Sequence, residues 1–262
     1  MECTVPDGLH GAQITLPFPS VGATENVMIA ASLAEGETVI RNPAREPEIL
    51  DLAGFLNACG AKIRVLPDGT IAIGGVKRLS GCRYRVIPDR IVAITYLCCC
   101  AAAQGEILLK GVLPEHLSAV LPVLEEMGCT LKAQKDRIFI RSHSPLKAVS
   151  TVSTMPYPGF PTDALAPVMA ENIFQDRFKH AWELCRMGAD IRAEGRVAVV
   201  RGAAKMHAAR VRCTDLRGGA ALVVAALGAE GRTEIEEVRH ILRGYERLDQ
   251  TLNHLGACIV RR

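Results

Sequence analysis

The phrase "FLNACGAKI" at residues 55–63 contains the pattern that decides the fold: a helix end, a glycine, then the start of a strand. A glycine just beyond a helix accommodates the left-handed backbone that closes many helices. The phrase recurs as "VLEEMGCTL" at 123–131, "ELCRMGADI" at 183–191 and "TLNHLGACI" at 251–259. The central glycines of the four copies are Gly60, Gly128, Gly188 and Gly256. Recurrence of one phrase along a chain indicates a repeated building unit.

A second phrase also predicts a helix, a glycine stop and a strand. It occurs as "AASLAEGETVI" at 30–40, "CCCAAAQGEILL" at 98–109 and "VAALGAEGRTEI" at 224–235. Each unit therefore contains helix, strand, helix, strand, strand, and "PDG" at 67–69 predicts a tight turn between the last two strands. Alternating helices and strands predict an α/β fold.

The second phrase has no copy in the third unit, near residue 171. Asp163 also lies much closer to Gly188 than the corresponding starting residues of the other units lie to their glycines. We therefore expect the third unit to lack a short internal segment there.

Composition excludes several classes of protein. The chain has 262 residues, of which 49% are hydrophobic and 23% charged, and a net charge of +3. These values are typical of a globular protein and give no argument for nucleic-acid binding. No apolar run reaches the roughly 18 residues that a membrane span needs, and no secretory leader is evident. A cytoplasmic protein is expected, with most of its ten cysteines as core thiols.

Sequence motifs for common cofactors are missing. The cysteines form no CxxC pair and the seven histidines have no metal-ligand spacing, so no metal site is predicted. There is also no GxGxxG, Walker A or GxSxG motif. We predict no cofactor.

A polar or small-residue turn precedes the first helix of every unit. The turns are "PSVGATEN" at 19–26, "IPDRI" at 87–91, "FPTDA" at 160–164 and "CTDLRGGA" at 213–220. Backbone N–H groups at such helix starts can bind an anion. Plain capping by Asp89, Asp163 and Asp215 is the alternative interpretation.

Arginines occur at related places in the units. Arg177 lies in "FQDRFKH", Arg243 in "RGYER", and Arg217 follows Asp215 at a helix start. Guanidinium groups suit phosphates and carboxylates, although solvated arginines and salt bridges give the same pattern. The glycine of "RGYER" implies close backbone approach and makes the second interpretation less natural for Arg243.

These motifs together resemble the enolpyruvyl transferases over nearly the whole chain. The resemblance rests on "PSVGATEN", "REPEI", "IPDRI", "PYPGFPTD", "DRFKHAWELCRMGADI", "TDLRGGAAL" and "RGYER". "FPTD" with "DLR" and "RGYE" is typical of the branch that uses UDP-N-acetylglucosamine rather than of the shikimate-pathway branch. The resemblance implies two inside-out α/β barrels of βαβαββ-type units, with the active site in the cleft between them. Residues 1–87 would be one unit of an incomplete first barrel, and residues 88–262 a second barrel of three units whose middle one is shortened near 170/171.

The resemblance also implies a reaction. The enolpyruvyl group of phosphoenolpyruvate passes to the 3-hydroxyl of UDP-N-acetylglucosamine and phosphate is released, which is the first committed step of peptidoglycan synthesis. Asp163 matches the catalytic aspartate, a general base that holds the sugar hydroxyl. The residues that match substrate-binding positions are Ser20, Val21, Gly22, Ile173, Phe174, Arg177, Asp215, Arg217 and Arg243.

The sequence departs from the family pattern, and these departures suggest other possible functions. The family's initial stretch, which carries a lysine, two arginines and a cysteine that acts as general acid, has no counterpart here. Phe18, Val92 and Leu242 replace a lysine and two acids. We therefore predict weak or no activity for the isolated chain. The alternatives are a sugar-nucleotide-binding module that pairs with a full-length homologue or a missing half, and a gene fragment without a separate role.

Overall fold

A computed structural model of the chain describes residues 5–149, 151–169, 179–194, 197–201 and 206–262. By their internal contacts the residues form two compact units. The first comprises Met1–Ile87 with Pro156–Pro158, and the second comprises Pro88–Met155 with Gly159–Arg262. Within the described ranges, no helix has the length and apolar character needed to cross a membrane.

The first unit has the order β-α-β-α-β-β, which contains the helix, strand, helix, strand, strand order predicted from the repeat, preceded by the strand that the resemblance implies. Its elements are β1 Gln13–Thr15, α1 Val21–Ala31, β2 Glu37–Arg41, α2 Pro47–Ala58, β3 Lys62–Val65 and β4 Ile71–Gly74. The strands form one sheet in the order β1-β2-β4-β3, in which only the β1–β2 pair is parallel. Apolar residues of both helices and of the sheet share one core, which includes Met28, Ile40, Ile49, Leu56 and Ile73.

The repeated phrase forms a side-chain clamp as well as a helix stop. Gly60 has a φ of +99°, as a left-handed helix end requires. The Asn57 amide donates to the Ile63 carbonyl over 2.9 Å and accepts from the Ile63 N–H over 2.8 Å. Asn253 holds Ile259 in the same way, at 2.8 and 2.7 Å. The asparagine therefore fixes the chain on the far side of the glycine in both copies.

Besides a short 3₁₀ helix at Pro114–Leu117, the second unit contains the remaining α-helices and strands. They are α3 Arg90–Ala102, β5 Glu106–Lys110, α4 Leu121–Glu126, β6 Thr130–Gln134, β7 Arg137–Arg141, α5 Thr162–Met169, α6 Lys179–Arg186, β8 Asp190–Glu194, β9 Val197–Arg201, β10 Arg210–Arg212, α7 Leu216–Gly228, β11 Glu234–Glu236, α8 Arg239–Leu242 and α9 Leu248–His254. Strands β5-β7-β6 and β8-β9 form antiparallel sheets, whereas β10 and β11 pair in parallel. The gap predicted near residue 171 lies outside the described residues.

Helices α3, α5 and α7 pack against each other in the core of the second unit. Their sequences are apolar on nearly every side, as expected for buried helices. Cys98, Cys99 and Cys100 of α3 are all buried. Three further cysteines, Cys59, Cys129 and Cys213, are also buried, which confirms the prediction of core thiols for most of those described.

Two local predictions from the repeat are wrong. In "AAAQGE" the left-handed residue is Gln104, with a φ of +52°, rather than Gly105. The helix therefore ends one residue earlier than the glycine suggests. After Gly256 no strand forms in residues 257–262. A strand needs a neighbour in a sheet, and residues 257–262 pair with no described strand, whereas β3 pairs with β4.

Candidate active site

Asp163 and Arg217 meet at the starts of two core helices. Asp163 lies in the first turn of α5, and Arg217 lies in the first turn of α7. Arg217 Nε donates to Asp163 Oδ2 over 3.2 Å. The Arg217 side chain is 20% exposed and that of Asp163 43%, so solvent reaches the pair from one side. A small ligand could therefore contact both groups.

Tyr245 and Thr95 support this pair from the buried side. The Tyr245 hydroxyl accepts from Arg217 Nη1 over 3.1 Å and lies 2.9 Å from Thr95 Oγ1. The guanidinium carbon of Arg217 lies 5.7 Å from the centre of the Tyr245 ring, within cation–π range. Burial raises the pKa of Tyr245, although the Thr95 hydrogen bond and the charge of Arg217 oppose the rise. The phenol therefore stays protonated at neutral pH.

Asp215 fixes the backbone from which Arg217 projects. Its Oδ1 accepts from the N–H groups of Arg217 and Gly218, at 3.1 and 2.8 Å. This is an N-cap of α7, and Asp89 caps α3 in the same way through Ile91 and Val92. The capping interpretation is thus confirmed for Asp89 and Asp215. Asp163 differs because it lies one residue inside its helix.

Gly244 packs closely against Leu216, the first residue of α7. A Cβ at position 244 would lie 2.8 Å from Leu216 Cδ2. The neighbouring atoms belong to the Leu216 side chain, so Gly244 leaves room for this leucine at the start of α7. Arg243 precedes Gly244 in the sequence and is exposed. Within the described part of the chain, the Arg243 side chain has no hydrogen bond or ion pair.

Cys213 lies beneath the Asp215 cap and has a strongly perturbed thiol. Its side chain is 1% exposed, and its thiol donates to the Asp215 carbonyl over 3.2 Å. Burial raises the pKa of Cys213 to about 11, with smaller contributions from the nearby carboxylates. The thiol therefore stays protonated well above neutral pH, and thiol reagents attack the thiolate.

We expect iodoacetamide at pH 8 to modify Cys258 and to leave Cys213 intact. Cys258 is exposed, whereas about one Cys213 thiol in a thousand is ionised at that pH and none is accessible. Peptide mass spectrometry of both cysteines over time measures the difference. Repeating the reaction in urea should make the two rates equal. Equal rates in the folded protein would contradict the buried position of Cys213.

In the first unit, Ser20 is the N-cap of α1. Its Oγ accepts from the Ala23 N–H over 3.3 Å, and its carbonyl accepts from the Thr24 hydroxyl over 2.8 Å. The N–H groups of Val21 and Gly22 have no acceptor among the described residues, and Gly22 is exposed. This helix start therefore presents two N–H groups that could bind an anion.

Not every predicted residue can be placed. Ile173, Phe174 and Arg177 lie outside the described residues. Conversely, the sequence analysis missed Tyr245 and Thr95, although Tyr245 belongs to the quoted motif "RGYER". Within the described ranges no three His, Cys, Asp or Glu side chains are grouped as a metal site would require.

The site motifs are shared with a known family. The sequence profile of EPSP synthase (3-phosphoshikimate 1-carboxyvinyltransferase) matches residues 3–252. The chain belongs to the EPSP synthase family. It is 52% identical to UDP-N-acetylglucosamine 1-carboxyvinyltransferase 2 of Caldanaerobacter subterraneus subsp. tengcongensis, over 97% of this chain. It is 50% identical to UDP-N-acetylglucosamine 1-carboxyvinyltransferase 1 of Symbiobacterium thermophilum, over the whole chain. It spans 64% and 62% of the length of these two relatives.

Solved structures of the family confirm the fold. The enolpyruvyl transferase NikO from Streptomyces tendae superposes on 96% of the chain with a TM-score of 0.82 and 24% identity, and the match covers 65% of NikO. EPSP synthase from Acinetobacter baumannii superposes on 97% of the chain with a TM-score of 0.71 and 18% identity, covering 64% of that protein. The predicted enolpyruvyl transferase fold is therefore confirmed.

Proposed function

We propose that this protein takes part in transferring the enolpyruvyl group of phosphoenolpyruvate to the 3-hydroxyl of UDP-N-acetylglucosamine, with release of phosphate. The observation that carries the proposal is the contact between Asp163 and Arg217, which puts a half-exposed carboxylate beside a largely buried guanidinium. Relatives about 50% identical carry the name of this enzyme, and this favours catalysis over a binding module. The reaction would place the protein in peptidoglycan synthesis in the cytoplasm.

Asp163 would act as the general base. As the sugar 3-hydroxyl attacks the enolpyruvyl carbon, its proton passes to a carboxylate within hydrogen-bond reach. The first turn of α5 suits this task because Asp163 projects from a helix packed in the core and is held by Arg217.

Arg217 would bind the anionic groups of phosphoenolpyruvate. Its guanidinium has five N–H donors, of which one bonds to Asp163 and one to Tyr245. The other three have no acceptor among the described residues. Such fixed donors stabilise charge as it develops on a reacting group. Arg243 and Arg177 are proposed as further contacts to the same anions.

The start of α1 would bind the nucleotide diphosphate. The N–H groups of Val21 and Gly22 supply donors without an added positive side chain, and the helix dipole favours negative charge there. Ser20 fixes the turn through its cap. Ile173 and Phe174 are proposed to contact the sugar nucleotide, and Asp215 to act through the backbone of Arg217.

Two measurements on the purified protein test the proposal. Calorimetry reports binding of UDP-N-acetylglucosamine, and a colorimetric assay reports phosphate released when both substrates are present, with reactions lacking either substrate as controls. We expect saturable binding and phosphate release that needs both substrates. Binding without release would favour the sugar-nucleotide-binding module. Neither binding nor release would contradict the proposed function.

A further inference from the structure

A series of hydrogen bonds supports Arg217 from the buried side, and each group in it donates to the next. The Thr95 hydroxyl donates to the Ile91 carbonyl over 3.0 Å, so its single proton is used. Thr95 Oγ1 therefore accepts from the Tyr245 hydroxyl, 2.9 Å away. The Tyr245 oxygen in turn accepts from Arg217 Nη1. The hydroxyl protons of Thr95 and Tyr245 thus have one acceptor each.

This series of hydrogen bonds is deeply buried and joins distant parts of the sequence. Thr95 is 0% and Tyr245 2% exposed, and they are 150 positions apart. Thr95 lies in the middle of α3, whereas Tyr245 follows α8. An unpaired hydroxyl at such a place is costly, so the buried network specifies one arrangement. The rigid helix α3 therefore determines where the Tyr245 oxygen lies.

That oxygen fixes the orientation of a guanidinium. Arg217 is held at two of its nitrogens, Nε by Asp163 and Nη1 by Tyr245. Two contacts on different edges of a planar group set its plane as well as its position. Arg217 Nη2 has no acceptor within the described ranges, so its N–H groups remain available to a ligand. An arginine ordered in advance loses less entropy when an anion binds.

We propose that Tyr245, anchored by Thr95, is a positioning residue that holds Arg217 against Asp163 with its outer N–H groups ready for the anionic substrate. The proposal rests on the proposed function for the identity of the anion, but not for the ordering of Arg217. Tyr245 itself touches no reacting atom; it acts through Arg217.

The test replaces Tyr245 by phenylalanine and follows the Arg217 Nε–H signal by ¹⁵N nuclear magnetic resonance. The signal is assigned by its absence from Arg217→Lys. Tyr245→Phe keeps the ring and removes the oxygen, and Thr95→Val removes the anchor without changing shape. We expect exchange of the Arg217 Nε–H with water to accelerate about tenfold or more in Tyr245→Phe, and less in Thr95→Val.

Tyr96→Phe is the matched control. Tyr96 neighbours Thr95 on α3, and its hydroxyl interacts with Thr251 rather than with Arg217. It should leave the Arg217 signal unchanged. Unchanged exchange in Tyr245→Phe, in a variant whose thermal unfolding shows that it is folded, would overturn the proposal.

Kinetics separate this proposal from the proposed function. In Tyr245→Phe we expect kcat/KM for phosphoenolpyruvate to fall about tenfold or more, while the affinity for UDP-N-acetylglucosamine is unchanged. A wild-type protein that releases no phosphate would contradict the proposed function, and the resonance experiment would still decide the role of Tyr245. Equal loss of affinity for both substrates would contradict a role through Arg217.

Discussion

Asp163→Asn is expected to lower the rate of phosphate release by about 10²–10⁴-fold, the usual contribution of a positioned general base. Asparagine has nearly the same shape, and its amide oxygen can still accept the Arg217 Nε–H that Asp163 accepts over 3.2 Å. The substitution therefore removes the basic charge and keeps the local geometry. Turnover at saturating concentrations of both substrates measures the loss, which corresponds to about 3–5 kcal/mol of transition-state stabilisation.

Asp249→Asn provides the matched control for this experiment. Asp249 also lies in the first turn of a helix, α9, and has no ion pair among the described residues. Its replacement should change turnover by less than about twofold. Calorimetry should show that Asp163→Asn still binds UDP-N-acetylglucosamine. A variant that keeps most of the wild-type rate would show that Asp163 is not the base.

The repeat predicts most of the fold because its signals are local. Gly60, Gly128, Gly188 and Gly256 all have positive φ, as a residue after a helix end requires. The helix stop predicted at Gly105 is wrong because Gln104 takes the left-handed conformation one position earlier. Asparagine, aspartate and occasionally other residues tolerate that region, so a glycine nearby does not fix the position.

The site is only partly predictable because its decisive contacts are tertiary. Asp89, Asp163 and Asp215 stand in similar turns, and each fits an N-cap equally well by sequence. Contacts between helices distinguish them, since Asp163 meets an arginine 54 positions away while the other two bond to their own helix. Thr95 has no local signal at all, and the motif "RGYER" contains Tyr245 without indicating its contact with Arg217, 28 positions away.

Gly75→Ala is expected to have the largest effect on the stability of the first unit. A Cβ at position 75 would lie 1.5 Å from the Ala34 carbonyl oxygen and 2.7 Å from its carbon. Both chains are held there, since the Gly75 N–H donates to the Gly36 carbonyl and the Val76 N–H to the Ser32 carbonyl, each over 2.9 Å. The clash therefore involves backbone that cannot move without breaking these bonds.

Neighbouring Gly74 gives a matched control for the predicted loss. A Cβ at position 74 would lie 3.5 Å from Lys62 Cβ, which is ordinary van der Waals contact. We expect Gly75→Ala to lower the free energy of unfolding of this unit by about 3 kcal/mol or more, and Gly74→Ala by about 1 kcal/mol or less. Hydrogen exchange of the amides of Ile71 and Ile73 in β4 measures both changes, because those amides are protected by the sheet that the clash would disrupt. Equal protection in the two variants would mean that the backbone at Ala34 yields, and that the close approach at Gly75 does not restrict this unit.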